Sequence, residues 1–232
     1  MALFKLGAFA QSISGKAGNS VFRSTRSGTV ITDHVIPTNP DTAAQQDVRG
    51  YFRKATTKFA TFSASAKKSW TNYAKNQFMT TKAGKRRSKT AINVYAGLGS
   101  KMLQVNPNAT LPTEIPSSVF EGDSVTLMVE AENPGTITFT ASGPNASGVT
   151  TELLLQPLVS PTRKPIKGAY RTETFHTFTS GSLTKNVSVP PGYYAAAYRF
   201  VRTATGQDTP LTQLPVTTVS FSVQSGKTKK AA

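Results

Sequence analysis

Residues 124–141 read SVTLMVEAENPGTITFTA. Val125, Leu127, Val129 and Ala131 fall at every second position, and Ile137 and Phe139 resume that spacing after a break. A period of two places these side chains on one face of an extended chain. The break is Asn133-Pro134-Gly135, with Pro and Gly where a type II turn favours them. The stretch is therefore a strand, a turn and a returning strand. Working towards the C-terminus, the same signs predict strands at residues 151–158, 171–179, 183–189, 193–202 and 216–224, with Gly, Pro and Asn between them. Seven short strands of this kind predict an antiparallel β-sandwich of immunoglobulin or fibronectin type. Within it, Pro190-Pro191-Gly192-Tyr193-Tyr194 resembles the strand entry that carries a tyrosine corner in such sandwiches.

Working towards the N-terminus, the period changes. Residues 106–112, NPNATLP, have the composition of a linker. Before them, Ala44, Val48, Tyr51, Phe52, Ala55, Phe59 and Phe62 are spaced by threes and fours, which is one face of a helix. Its start is marked either by Asn39 before Pro40 or by a capping box of Thr42 and Gln45. A second helix, capped by Ser63 or Ser65, carries Ala66, Trp70, Tyr73 and Ala74 on its apolar stripe. The connection is so short that the two helices are expected to form an antiparallel hairpin. The expected helical core is Val48, Phe52, Phe59, Trp70 and Tyr73, with Trp70 packed on Tyr51, Phe52 or Phe59. Residues 91–104 read as a third helix or a mixture of helix and strand. Nearer the N-terminus, residues 20–24 and 29–31 flank a turn and predict a small β-hairpin, preceded by a glycine-bearing arm. The fold class is thus α+β. The expected divisions are an arm and hairpin at 1–36, a basic helical domain at 37–108, a sandwich at 109–226 and a basic tail at 227–232.

The inventory of reactive side chains is small. The 232 residues include no cysteine and two histidines, His34 and His176. Disulfides, thiol chemistry and a multi-histidine metal centre within one chain are excluded. Asp33 and His34 are adjacent, and neighbours on a strand point to opposite faces. Glu121, Asp123, Glu130 and Glu132 lack the spacing of a calcium loop. Gly226-Lys227-Thr228 lacks the upstream glycine of a phosphate-binding loop. No enzyme activity and no cofactor are expected. No apolar run is long enough to cross a membrane, and the first ten residues do not read as a signal peptide.

Charge is the strongest single signal. The net charge is +16, and residues 1–105 hold 17 basic side chains against three acidic ones. The basic excess predicts an anionic partner for that half. Lys82, Lys85, Arg86, Arg87 and Lys89 lie close together among small residues, so several are expected to reach one anionic surface. No nucleic-acid recognition motif is present.

Residues 12–105 resemble a family of small proteins found in tailed phages and prophages. The matching pieces are Gly15-Lys16-Ala17-Gly18, the run from Pro37-Thr38-Asn39-Pro40 through Gln45 to Arg49, the aromatics Phe52 and Phe59, Lys67-Lys68-Ser69-Trp70, and Ala91-Ile92-Asn93-Val94-Tyr95. Phe59 stands where that family commonly has tryptophan. The resemblance implies a virion structural protein made in the host cytoplasm, associated with the capsid or the head–tail connector. It would be present as a homo-oligomer or in multiple copies, with other virion proteins as partners and no membrane. The alternative is a protein packaged with the phage genome that contacts DNA without sequence preference. Salt dependence separates the two, because phosphate binding weakens steeply as salt rises.

Overall fold

The structure, a computed structural model, describes residues 2–4, 13–25, 28–36, 41–80, 84, 86–131 and 134–220. Several expected features fall outside these residues: the Pro37–Pro40 motif, Lys82, Lys85, Glu132, Asn133 of the first sandwich turn, residues 221–224 of the last expected strand and the basic tail.

The expected hairpin is present as strands β3 (Ser20–Thr25) and β4 (Gly28–Asp33), but it is not alone. Strands β1 (Ala2–Phe4) and β2 (Gly15–Ala17) flank it to give an antiparallel sheet in the order β1-β4-β3-β2. The arm before the hairpin therefore contributes strands of its own. Thr29 and Val30 are buried, while most other described side chains of the sheet are exposed or half-exposed. Among the described residues, none of this sheet belongs to the apolar core clusters of the helices or of the sandwich.

Helix α1 (Ala43–Ala60) starts at Thr42, whose hydroxyl accepts from the Gln45 amide at 3.4 Å. Helix α2 (Ala64–Lys75) starts at Ser63, whose hydroxyl accepts from the Ala66 amide at 3.2 Å. Each cap satisfies one of the amides that a helix start leaves without a partner. The short ribbon of β5 (Phe78–Thr80) and β6 (Arg86–Ser88) follows, and then helix α3 (Ala91–Val105). Residues 91–105 are helical throughout, which resolves the ambiguous reading of this segment.

α3, not the α1–α2 pair, is the centre of the helical half. Tyr95 of α3 is buried with its ring 5.0 Å from Trp70, 5.0 Å from Phe62 and 5.5 Å from Phe59. Trp70 also meets Tyr73 edge-on at 5.7 Å, so its ring contacts are with tyrosines, and it shares a buried core cluster with Phe59, while Phe52 is exposed. Burial pushes the Tyr95 phenol up to about 12. Gly99 lets α1 and α3 touch: a Cβ there would lie 3.1 Å from Cβ of Ala55. Phe59, Trp70 and half-buried Tyr73 join the expected core. Val48 and Phe52 do not, being 50% and 53% exposed. They continue the Ala55–Phe59 stripe, but α3 covers only its C-terminal half.

The sandwich follows. Its strands are β7 (Leu127–Glu130), β8 (Thr136–Ala141), β9 (Val149–Leu158), β10 (Arg171–His176), β11 (Thr184–Ser188), β12 (Gly192–Arg202) and β13 (Thr212–Val219). One sheet has the order β11-β8-β7 and the other β10-β9-β12-β13, all neighbours antiparallel. This is the three-plus-four strand arrangement of an immunoglobulin- or fibronectin-like sandwich. The alternation in residues 124–141 holds: Val125, Leu127, Ile137 and Phe139 are buried and Met128 is exposed. Gly135 takes the left-handed φ of +71° that the type II turn requires. The Tyr194 hydroxyl donates to the Pro190 carbonyl at 2.8 Å, which is a tyrosine corner.

The central strands of the four-stranded sheet, β9 and β12, are buried on both faces. Leu153, Leu155, Ala196 and Phe200 enter the sandwich core. Leu154, Ala195, Ala197 and Val201 face the other way and are buried too. α3 approaches this outer face closely. Gly206, after β12, has φ +70°, and a Cβ on it would lie 2.1 Å from the Leu98 carbonyl oxygen of α3. Gly206→Ala therefore combines a left-handed backbone with a clash against main chain. It should lower stability by on the order of 3 kcal/mol. An unchanged urea midpoint would show that this contact does not form.

Candidate interaction surface

The basic cluster is less of a loop than its composition suggests. Arg86 and Arg87 are consecutive residues of β6, which pairs with β5 through Met79 opposite Arg87 and Thr80 opposite Arg86. Consecutive strand residues point to opposite faces. The two arginines therefore serve different surfaces and do not converge on one. The Arg86 guanidinium lies 3.8 Å from the ring centroid of exposed Phe78. Arg87 is half-buried. The Lys89 amide donates to the Gln77 carbonyl at 2.8 Å, which ties the end of the ribbon to the end of α2.

Lys89 lines a cleft of about 550 Å³ between the helices and the sandwich, along with Tyr73, Asn93, Lys101, Gln207 and Asp208. The Tyr73 phenol is raised by burial, and a hydrogen bond with Gln207 offsets part of that rise. The cleft offers amides, a phenol and lysines. Among the described residues its carboxylate is Asp208, held by Arg199 at 2.8 Å. Among the described residues, no group of three His, Asp or Glu side chains is placed to hold a metal ion. His176 packs edge-on against Phe178 at 4.8 Å, and burial and then the Lys185 charge push its pKa down. His34 is half-buried, and its amide donates to Asn19.

A second basic surface lies on α1. Arg49 reaches Asp41 at 3.2 Å, where both side chains are largely exposed. Arg53, Lys54 and Lys58 border an open groove with Thr57 and Thr61. Lys54 and Lys58 are one turn apart, a repulsive spacing unless an anion lies across them.

The tightest polar cluster was not foreseen in the sequence. Glu152 of β9 is fully buried, and its carboxylate accepts from three side chains. Lys101 of α3 donates to Oε1 and Oε2 at 3.1 and 2.9 Å. Arg199 of β12, opposite Glu152 in the ladder, donates through Nε and Nη2 at 2.7 and 3.1 Å. The Thr172 hydroxyl donates as well. Burial alone would raise the Glu152 pKa. The Arg199 hydrogen bond and the Lys101 charge outweigh it and hold the carboxyl below its ordinary range. The residues after α3 also bind back to the helices: Trp70 Nε1 donates to the Thr113 carbonyl at 2.8 Å, and the Tyr95 hydroxyl to Pro112 at 3.1 Å. Glu152 and Lys101 thus fasten α3 to the sheet. The available signal was a lone acid inside the apolar run Thr151-Glu152-Leu153-Leu154-Leu155, since such an acid is rarely buried unless paired.

No family model matches the chain, and no curated protein matches it. Among solved structures, it is similar to the fibronectin type III domain of human collagen α-1(XX), with 13% identity, 49% of this chain and 99% of that one covered, and a TM-score of 0.33. The fibronectin type III domain of human contactin 1 is 10% identical over 51% of this chain and 100% of its own, with a TM-score of 0.29. A CBM33 protein of Bacillus amyloliquefaciens is 15% identical over 39% of this chain and 55% of its own, with a TM-score of 0.28.

Proposed function

We propose that this chain is a non-enzymatic structural subunit of a tailed-phage particle, attached through its N-terminal half, with the sandwich as an interaction module. The observation that carries this reading is the N-terminal sheet. Among its described residues none belongs to either apolar core, and few side chains are buried. A small sheet with so little buried surface needs another surface to be stable. A neighbouring subunit or another particle protein supplies one. The phage-family resemblance of residues 12–105 and the cations of α1 and β6 point the same way, to an anionic neighbour in an assembly. Packaged DNA is the competing neighbour.

Mass spectrometry of purified particles tests the reading directly. A few copies per particle would indicate a neck ring, and hundreds a capsid decoration. A chain lacking residues 1–30 should remain folded and fail to incorporate. Absence of the protein from particles, or normal incorporation of the truncated chain, would refute the proposal. Retention on bare duplex that falls steeply with salt would favour the genome as partner.

A further inference from the structure

We propose that this chain binds a second copy of itself head to tail, a basic loop at one end of the sandwich meeting an acidic strap at the other. The loop is residues 159–170, between β9 and β10. An antiparallel pair of strands needs only two residues to turn. This connection is far longer, yet its backbone is held in place. The Arg163 amide donates to the Ser160 carbonyl at 3.2 Å and the Ala169 amide to the Ile166 carbonyl at 2.9 Å. The Ile166 amide donates to Oε1 of buried Gln156 at 3.1 Å. Pro161 and Pro165 restrict the chain further. Long loops of this kind are commonly functional. Two aliphatic side chains stand in water on it: Val159 is 92% exposed and Ile166 57%. Cations adjoin both. The first turn brings Arg163 back to Ser160, next to Val159, and Lys164 and Lys167 lie within two residues of Ile166. All three are exposed, and none enters an ion pair among the described residues. The sequence has no acid between Glu152 and Glu173.

The strap is residues 113–121. It runs from the helices, where Trp70 holds the Thr113 carbonyl, to the sandwich, where Phe120 enters the core. Glu114, Ile115, Val119 and Glu121 are exposed along it, Val119 at 81%. The sequence has no basic residue between Lys101 and Arg163. Of the cations near the strap, Arg202 is engaged with Ser118 and Gln207, and Lys89 lines the cleft that Val119 borders. Glu114 and Glu121 enter no ion pair among the described residues. The two surfaces sit at opposite ends of β12. Leu158, where the loop begins, pairs with Tyr193, and Arg202, which holds Ser118, lies at the far end of that strand. At the rise of a strand that separation is about 30 Å, so loop and strap cannot meet within one chain. Between copies they match, aliphatic against aliphatic and cation against carboxylate. The net charge of +16 opposes association, but salt screens it beyond about 8 Å and leaves direct contacts to decide. Nucleic acid would answer the loop and leave the strap without a partner. A loop-to-strap contact is heterologous, so successive copies close a ring or extend a filament.

The test is sedimentation of the purified full chain, with and without nuclease treatment, over a range of concentrations. The parent should self-associate reversibly, and more weakly as salt rises. Lys164→Glu/Lys167→Glu reverses the loop, and Glu114→Lys/Glu121→Lys reverses the strap. Each double variant alone should associate more weakly than the parent by about tenfold or more, because like charges now face each other. An equimolar mixture of the two should associate again, since the reversed loop of one meets the reversed strap of the other. All four positions are exposed, and recovery in the mixture excludes misfolding as the cause of the loss. A parent that stays monomeric up to about 1 mM, the weak end of specific affinity, would overturn the proposal. So would association indifferent to either reversal, a mixture that does not recover, or association that nuclease abolishes. The contact rests on these two surfaces and not on the virion reading. It can fail while the protein is still found in particles, and it can hold while the protein is absent from them.

Discussion

Replacing Glu152 with alanine should destabilise the protein by about 3–5 kcal/mol, because it leaves Lys101 and Arg199 as like charges in a buried site with their shared acceptor gone. The size of the effect comes from the orphaned cations more than from the lost attraction, since assembling a buried ion pair gains little over well-packed apolar groups. A triple replacement by apolar residues of similar volume at 101, 152 and 199 should therefore recover much of the loss. Asp208 would then be left without its Arg199 partner at a half-exposed position, where the cost is small. The pH response has a definite sign. The folded carboxyl lies below its unfolded value, so its contribution is fully present above the unfolded pKa, about 4.3 for Glu, and is lost as pH falls through the folded value. Urea midpoints measured between pH 7 and pH 3 should fall less steeply for Glu152→Gln than for the parent. Parallel curves would mean that Glu152 is not held in the ionised state by these partners.

The second large effect is expected at Trp70. Trp70→Ala removes a fully buried ring from against Tyr95 and Tyr73 and frees the Thr113 carbonyl. Large-to-small changes of this kind cost about 3–5 kcal/mol. Trp70→Phe keeps part of the packing but loses the Nε1 donor, and should cost less. Trp70 is the single tryptophan of the chain, so its emission reports on this one site. It should be blue-shifted in the folded protein and move to the red across a single transition. Emission typical of a water-exposed indole before any denaturant is added would refute the packing described.

What the sequence reveals here follows from which physical signals are local. The sandwich was legible because strands such as β8 bury one face only, so Ile137 and Phe139 alternate with threonines. The helix caps at Thr42 and Ser63 were legible because cap and amide are three residues apart. The cover on α1 was not. Periodicity says which face of a helix is apolar, but not how far along that face a neighbour extends, so Val48 and Phe52 read as core. The basic cluster misled in the opposite direction. Small residues around Gly84 read as a loop, whereas Arg86–Ser88 gains a strand partner in Phe78–Thr80. Glu152 escaped because its partners lie 51 residues before it and 47 after it. No local pattern encodes such a pairing.

The two-sided burial of β9 and β12 bears on how this sandwich can be inherited. Sandwiches of this architecture often travel between proteins as self-sufficient units, and their outer sheet faces are polar enough to allow it. Here the outer face presents Leu154, Ala195, Ala197 and Val201 around a carboxylate whose cationic partners include Lys101 from outside the sandwich. Cut free, the module would expose an apolar sheet with a half-neutralised acid at its centre. Joined to a foreign helix without a lysine at the equivalent turn, it would fare little better. The helices and the sandwich are therefore bound to diverge as one lineage: a substitution at Lys101 constrains Glu152, and recombination between the halves is penalised wherever the crossover separates them.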